Sequence, residues 1–208
     1  MKNNFLKRTL SIIFLGPIFI FCILNEGFVF NFLLFSLFAF SIYEISKLKI
    51  IFIKILLFFI FLIFLYSFYN LRYLSEGLKI VFLIIFITWL SDTGGYLFGK
   101  LVGGKKINFI SPNKTLSGYF GSIILAQLNL IYIYYFEINI FKTLYMNILF
   151  LFCCTLIVIS GDLFFSYLKR LNKIKDYSNL IPGHGGLLDR LDGLIFLVII
   201  FNTIYLII

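Results

Sequence analysis

Five aspartates carry the chemistry this sequence is equipped to do. Asp189 and Asp192 stand three apart, and in a helix such a pair shares one face with Cβ atoms about 5–6 Å apart. Two carboxylates that close repel, and either a divalent cation or neutralisation by Arg190 and nearby lysines relieves the repulsion. Oxygen-only donors suit Mg²⁺, which takes a few carboxylates together with phosphate oxygens. With a single His and three Cys embedded in apolar sequence, zinc is a poor fit. Asp162, Ser166 and Lys169 follow at i, i+4 and i+7, so a helix would align them in one stripe with Asp162 deepest. That stripe is either an ion pair and a hydroxyl packed against a neighbouring helix, or part of one metal-and-phosphate pocket with Asp189 and Asp192.

Pro182-Gly183-His184-Gly185-Gly186 is a compact turn, and its glycines permit positive φ and close backbone approach. Amides at such a turn just before a helix favour an anion; the plainer alternative is a turn that connects loop to span. His184, the only histidine, is flanked by glycines and set among Arg170, Lys175, Asp176 and Arg190, so it is a site candidate. A second polar stretch begins at Asp92-Thr93-Gly94-Gly95 and ends at Lys114-Thr115, with Gly99, Lys100, Gly103, Gly104, Lys105 and Lys106 between. Its Gly-Lys-Leu-Val-Gly-Gly-Lys-Lys nearly matches a phosphate-binding P-loop. Lys106 occupies the Ser/Thr position, however, and no strand precedes it, so that reading fails. What remains is a flexible basic loop near phosphates, or a plain topological signal.

These residues are held by an apolar frame. Of 208 residues 62% are hydrophobic, with 29 Phe and only 13% charged, more than a soluble core buries. The expected class is an all-α, polytopic integral membrane protein. Runs near the ~20 residues that cross a bilayer fall at about 9–24, 28–44, 51–69, 78–92, 117–136, 143–161 and 193–208, about seven transmembrane helices. The first lacks a small-residue cleavage site and reads as an uncleaved helix. With the N-terminus cytoplasmic, 15 of the 18 Lys and Arg fall on the cytoplasmic side, leaving Arg72, Lys79 and Lys142 opposite. The net charge of +9 is thus one-sided, which fits anionic lipid heads as partners and not nucleic acid. Glu26, Glu44, Glu76 and Glu137 sit at span ends, where solvated anchoring accounts for them, and Cys22, Cys153 and Cys154 read as packing residues. The whole of 1–208 reads as one domain with cytoplasmic polar loops near 92–116 and 162–192.

The run Ser166-x2-Lys169-Arg170-x4-Lys175-Asp176, then Pro182-Gly183-His184-Gly185-Gly186-x2-Asp189-Arg190-x-Asp192, resembles the signature of the phosphatidate cytidylyltransferases, or CDP-diacylglycerol synthases. Asp92-Thr93 with Tyr96 and Gly99, Ser111-Pro112-x-Lys114-Thr115 and Gly161-Asp162-Leu163 are similar to further family motifs in the same order; Tyr43 to Leu48 is similar more loosely. The resemblance implies that CTP and phosphatidate give CDP-diacylglycerol and pyrophosphate with Mg²⁺, in a multi-pass protein of the plasma (inner) membrane whose site faces the cytoplasm. A homodimer is compatible with it. On that reading Asp162, Asp189 and Asp192 hold metal, and Lys169, Arg170, Lys175 and Arg190 neutralise phosphates. Gly183, Gly185 and Gly186 offer amides, His184 orients a phosphate or moves a proton, Asp176 joins the catalytic set, Ser166 binds substrate, and Asp92 and Lys114 close the pocket. Ser117, Ser178 and Gly193 depart from the usual Glu, Gly and Ser, and the chain is short for the family. A CTP-dependent lipid kinase is the nearest alternative. A secondary transporter predicts internal repeats, and none is visible.

Overall fold

In the computed structural model, residues 2–106, 111, 114–138, 140–181, 183 and 185–207 are described, with backbone alone for 2–12 and 207. Among them the chain forms α1 (Lys2–Leu24), α2 (Phe28–Ser46), α3 (Ile51–Arg72), α4 (Gly77–Leu101), α5 (Leu116–Ala126), α6 (Asn129–Tyr135), α7 (Leu144–Leu171) and α8 (Leu188–Ile207). The architecture is all-helical. Five stretches are long and apolar enough to cross a membrane: α2, α3, α4, the joined α5–α6 at Leu116–Tyr135, and α7. With α1 and α8 flanking them, the pattern agrees with the expected seven passes in a multi-pass membrane protein.

The boundaries moved most where polar residues looked like loop. Helix α4 runs nine residues past Asp92, so Gly94, Gly95, Gly99 and Lys100 belong to it rather than to a flexible loop. Those glycines are packing devices. A Cβ on Gly95 would lie 2.9 Å from Ser122 Oγ, one on Gly118 would lie 2.9 Å from the Gly95 carbonyl oxygen, and one on Gly121 would lie 2.6 Å from that of Gly94. Small residues let two membrane helices touch backbone to backbone. Likewise α7 reaches Leu171 and α8 begins at Leu188, so Asp162, Ser166, Lys169, Asp189 and Asp192 are all helical. The fifth pass is broken in two at Gln127 and Leu128.

Helix α8 is the axis of the bundle, packed against α3, α4 and α7, and Ile195, Leu197 and Val198 are fully buried on it. Phe30 on α2 meets Phe68 on α3 edge to face at 5.6 Å, and Phe61, Phe64 and Phe68 line one side of α3. The connections α2–α3, α4–α5 and α7–α8 gather at one end, together with Lys47, Lys49, Lys105, Lys106, Lys173 and Lys175. Asn172 ties that end together, its Oδ1 accepting from the amides of Lys49 (3.1 Å) and Ile50 (3.2 Å). At the opposite end Arg72 is buried and donates to the carbonyls of Ile23 (2.8 Å) and Leu24 (3.3 Å) and to Glu26 (3.0 Å), which closes the end of α1.

Candidate functional site

Two glycines bring the deepest acids together. Where α7 crosses α8, a Cβ on Gly161 would lie 2.9 Å from the Asp192 carbonyl oxygen, and one on Gly193 would lie 2.8 Å from Val158 Cγ1. At this spacing the Asp162 and Asp192 side chains are within hydrogen-bonding reach of each other. Lys114 enters from the α4–α5 connection and ion-pairs with Asp162. Its position is fixed from both sides: Lys106 and Thr115 bridge, the Leu116 amide donates to the Lys105 carbonyl at 3.1 Å, and Thr115 Oγ1 caps α5 by accepting from the Gly118 amide at 3.1 Å. Burial acts to push the Lys114 ammonium down, but the Asp162 carboxylate, with Tyr119 and Asp192, outweighs it and holds the group above its usual 10.5. Asp92, on the exposed side of α4, lies within electrostatic reach of Asp162, Lys114 and Arg190.

Asp189 and Asp192 share a helix but not a partner. Lys169 donates to Asp189 Oδ1 at 2.7 Å, and both side chains are nearly buried. Asp189 Oδ2 also accepts from the amides of Tyr177 (2.9 Å) and Gly186 (3.0 Å), pinning both ends of the turn that leads into α8. Tyr177 is buried beside this pair. Burial, and then the acids Asp189, Asp192 and Glu44, push its phenol well above the usual range, so it stays neutral.

Glu44 corrects the sequence reading. Solvated anchoring was expected, yet its side chain is wholly buried. It accepts from Ser178 Oγ (2.6 Å), the Leu187 amide (2.7 Å) and the Leu188 amide (2.8 Å). Together Glu44 and Asp189 take up the amides of Gly186, Leu187 and Leu188. The turn therefore does attract anions at the start of α8, but the anions on these amides are the protein's own carboxylates.

The remaining candidates sit around this frame. Ser166 is half-buried on α7 between Asp162 and Lys169, while Arg170, Lys175, Asp176, Gly183 and Arg190 are exposed at the basic end. Gly185 has φ +88°, and a Cβ there would lie 3.1 Å from Asp189 Oδ2 and 3.5 Å from Asp176 Cβ, which sets Asp176 beside the turn. Pro182 and His184 lie outside the described residues, so the placement expected for His184 is outside them too. Among the described residues no three His, Cys, Asp or Glu side chains form a group able to hold a metal ion by themselves. The adjoining carboxylates of Asp162 and Asp192 are nonetheless an oxygen-only donor pair. That suits a hard divalent cation completed by phosphate oxygens better than an all-protein cage.

Residues 47–208 match the model of the cytidylyltransferase family. The chain belongs to that family. Its relatives include proteins named phosphatidate cytidylyltransferase from Staphylococcus epidermidis, 39% identical over 142 residues, and Staphylococcus aureus, 38% over 141. A third is the protein of that name from Staphylococcus haemolyticus, 36% identical over 141 residues. Each match takes in 66% of this chain and 52% of the relative, so the chain spans about half the length of the curated relatives it matches.

Within this cytidylyltransferase-family chain the three departures from the resembled pattern have local accounts. Ser178 supplies the hydroxyl that meets Glu44. Ser117 Oγ lies 2.9 Å from Thr115 Oγ1 and donates to the Gly103 carbonyl, so it braces the α4–α5 connection without a carboxylate. At Gly193 the space a serine Cβ needs is occupied by Val158. Glu44 is the residue the sequence reading missed, and the signal was present: an acid in the last turn of an apolar span is costly there unless its charge is met.

Proposed function

We propose that the chain transfers the cytidylyl group of CTP to phosphatidate at the basic end of the bundle, giving CDP-diacylglycerol and pyrophosphate. The carrying observation is that the Asp162 and Asp192 carboxylates adjoin, with Lys114 paired to Asp162, Asp92 within electrostatic reach, and the Lys169–Asp189 pair one turn of α8 from Asp192. A phosphate oxygen of phosphatidate attacks the α-phosphorus of CTP. The bond from that phosphorus to the oxygen bridging to the β-phosphate breaks, and pyrophosphate leaves with the electron pair. The lipid phosphate is itself the nucleophile, so the protein needs no serine or cysteine nucleophile, and catalysis reduces to orientation and charge neutralisation.

Asp162 and Asp192 would hold Mg²⁺, which when bound neutralises phosphate oxygens and stabilises the leaving pyrophosphate. Lys114 keeps Asp162 in place and offers a cation to a phosphate. Lys169 orients Asp189, which in turn fixes the turn from Tyr177 to Gly186. Arg170, Lys175 and Arg190 ring the entrance with positive charge for the nucleotide and the lipid head, Ser166 lines it, and Asp176 stands beside Gly185. Because Lys and Arg favour the cytoplasmic side, this end faces the cytoplasm, where CTP is available, in a plasma membrane.

The test is an assay of the purified chain in phosphatidate-containing vesicles with labelled CTP and Mg²⁺. CDP-diacylglycerol and pyrophosphate should form in equal amounts, and Asp192→Asn should abolish both. Release of CDP with a phosphorylated lipid would instead identify a lipid kinase.

A further inference from the structure

We infer that Glu44 is a positioning residue for this site: from α2 it sets where the Gly185–Gly186 turn and the start of α8 stand, and so where the Asp189 and Asp192 carboxylates point. The inference rests on the function proposed above. Glu44 lies outside the segment that matches the family model.

Three observations carry it. Glu44 is fully buried, so its carboxylate is expensive unless all its interactions are made. It makes three charge-assisted hydrogen bonds of 2.6–2.8 Å, one to Ser178 and two to the first amides of α8. It also fills the space above Gly186, where a Cβ would lie 2.9 Å from the carboxyl carbon. No ion pair to Glu44 occurs among the described residues, so the partial positive charge of the α8 N-terminus is what faces it.

The geometry makes the two carboxylates at this turn complementary. Asp189 grips the turn from within α8 through Gly186 and Tyr177, and Glu44 grips it from another helix through Leu187 and Leu188. Without Glu44 nothing in this set ties the start of α8 to α2. The first turn of α8 then relaxes relative to Asp162 on α7, and the carboxylate pair opens. Ser178, at the far side of the same carboxylate, fixes its orientation.

Glu44→Gln keeps the shape but presents an amide donor to helix amides that already donate, whereas Glu44→Asp keeps the charge and shortens the reach. In vesicles, Glu44→Gln should lower kcat about 10- to 100-fold, the usual effect of removing a group that orients a metal ligand. KM for phosphatidate should change little, and the Mg²⁺ concentration for half-maximal rate should rise. Glu44→Asp should recover part of kcat. Ser178→Ala removes one of the three bonds and should lower kcat severalfold with the fold intact, so it decides the matter if Glu44→Gln does not fold. The inference is overturned if folded Glu44→Gln, or Ser178→Ala, has wild-type kcat and Mg²⁺ dependence. If the wild-type chain makes no CDP-diacylglycerol at all, it is the proposed function that fails.

Discussion

Replacing Gly94 with Ala tests whether the contact of α4 with α5 sets the distance between Asp92 and the Lys114–Asp162 pair. The new Cβ would lie 2.7 Å from the Gly121 carbonyl carbon and 3.0 Å from the Ser122 amide nitrogen, where ordinary contact begins at 3.4 Å. Both obstacles are backbone, so no side chain can rotate away, and the helices must part by about 1 Å. Overpacking of this kind costs about 1–3 kcal/mol. At roughly 2–4 °C per kcal/mol for a chain of this size, Tm should fall by roughly 2–12 °C. The same displacement moves Asp92, two residues away on α4, and a ~1 Å misplacement of a reacting constellation costs about 100-fold in rate. The assay pairs thermal unfolding in detergent with CDP-diacylglycerol formation in vesicles. Gly16→Ala is the control, since a Cβ there meets nothing within 4 Å. If Gly94→Ala matched Gly16→Ala in both Tm and rate, close helix contact would not be what positions the site.

Three other perturbations separate the ends of the molecule. Lys169→Met leaves the nearly buried Asp189 carboxylate without its cation; a loss of about 3 kcal/mol in unfolding free energy and of most activity is expected, and equal stability by denaturant titration would refute the assigned pairing. Arg72→Ala strips the carbonyls of Ile23 and Leu24 of their donor at the opposite end, so stability should drop by about 2–4 kcal/mol with kcat per folded molecule unchanged; a fall in kcat would show coupling across the bundle. Lys114→Met should cut activity at least 100-fold while leaving the chain folded. Because the folded-state pKa of Lys114 is raised above 10.5, the stability from its charge is fully present below 10.5 and lost as pH climbs through the higher folded value. The Tm difference between Lys114→Met and wild type should thus be constant across neutral pH and shrink only in strong alkali.

The helical stripe of Asp162, Ser166 and Lys169 was legible because periodicity survives any tertiary context, and α7 does run through all three. The orientation of each acid was not, since spacing puts Asp189 and Asp192 on one helix but does not say that Lys169 takes one and Asp162 faces the other. Gly94, Gly95 and Gly99 misled for a physical reason. In water-soluble chains glycine punctuates helices, whereas inside a membrane bundle it is the residue that lets backbones touch. Glu44 was hidden because hydropathy averages over a window, and one acid closing an apolar span looks the same whether water or three donors satisfy it. The break at Gln127 and Leu128 had a visible cue in Gln127 and Asn129, polar residues interrupting an otherwise apolar run.

The bonds that close the basic end join segments made far apart in time. The amides of Lys49 and Ile50 meet an acceptor 123 and 122 residues ahead, and Glu44 meets donors 134, 143 and 144 residues ahead. At about 5–20 residues per second, synthesis leaves Glu44 without them for roughly 7–30 s. Throughout that interval water at the membrane edge must serve the carboxylate, and α2 is held by packing alone. Only arrival of α8 withdraws Glu44 from solvent and locks the end shut. A chain halted before α8 carries α1 to α7 but neither Asp189 nor Asp192, so on the function proposed above turnover would report that α8 has been inserted.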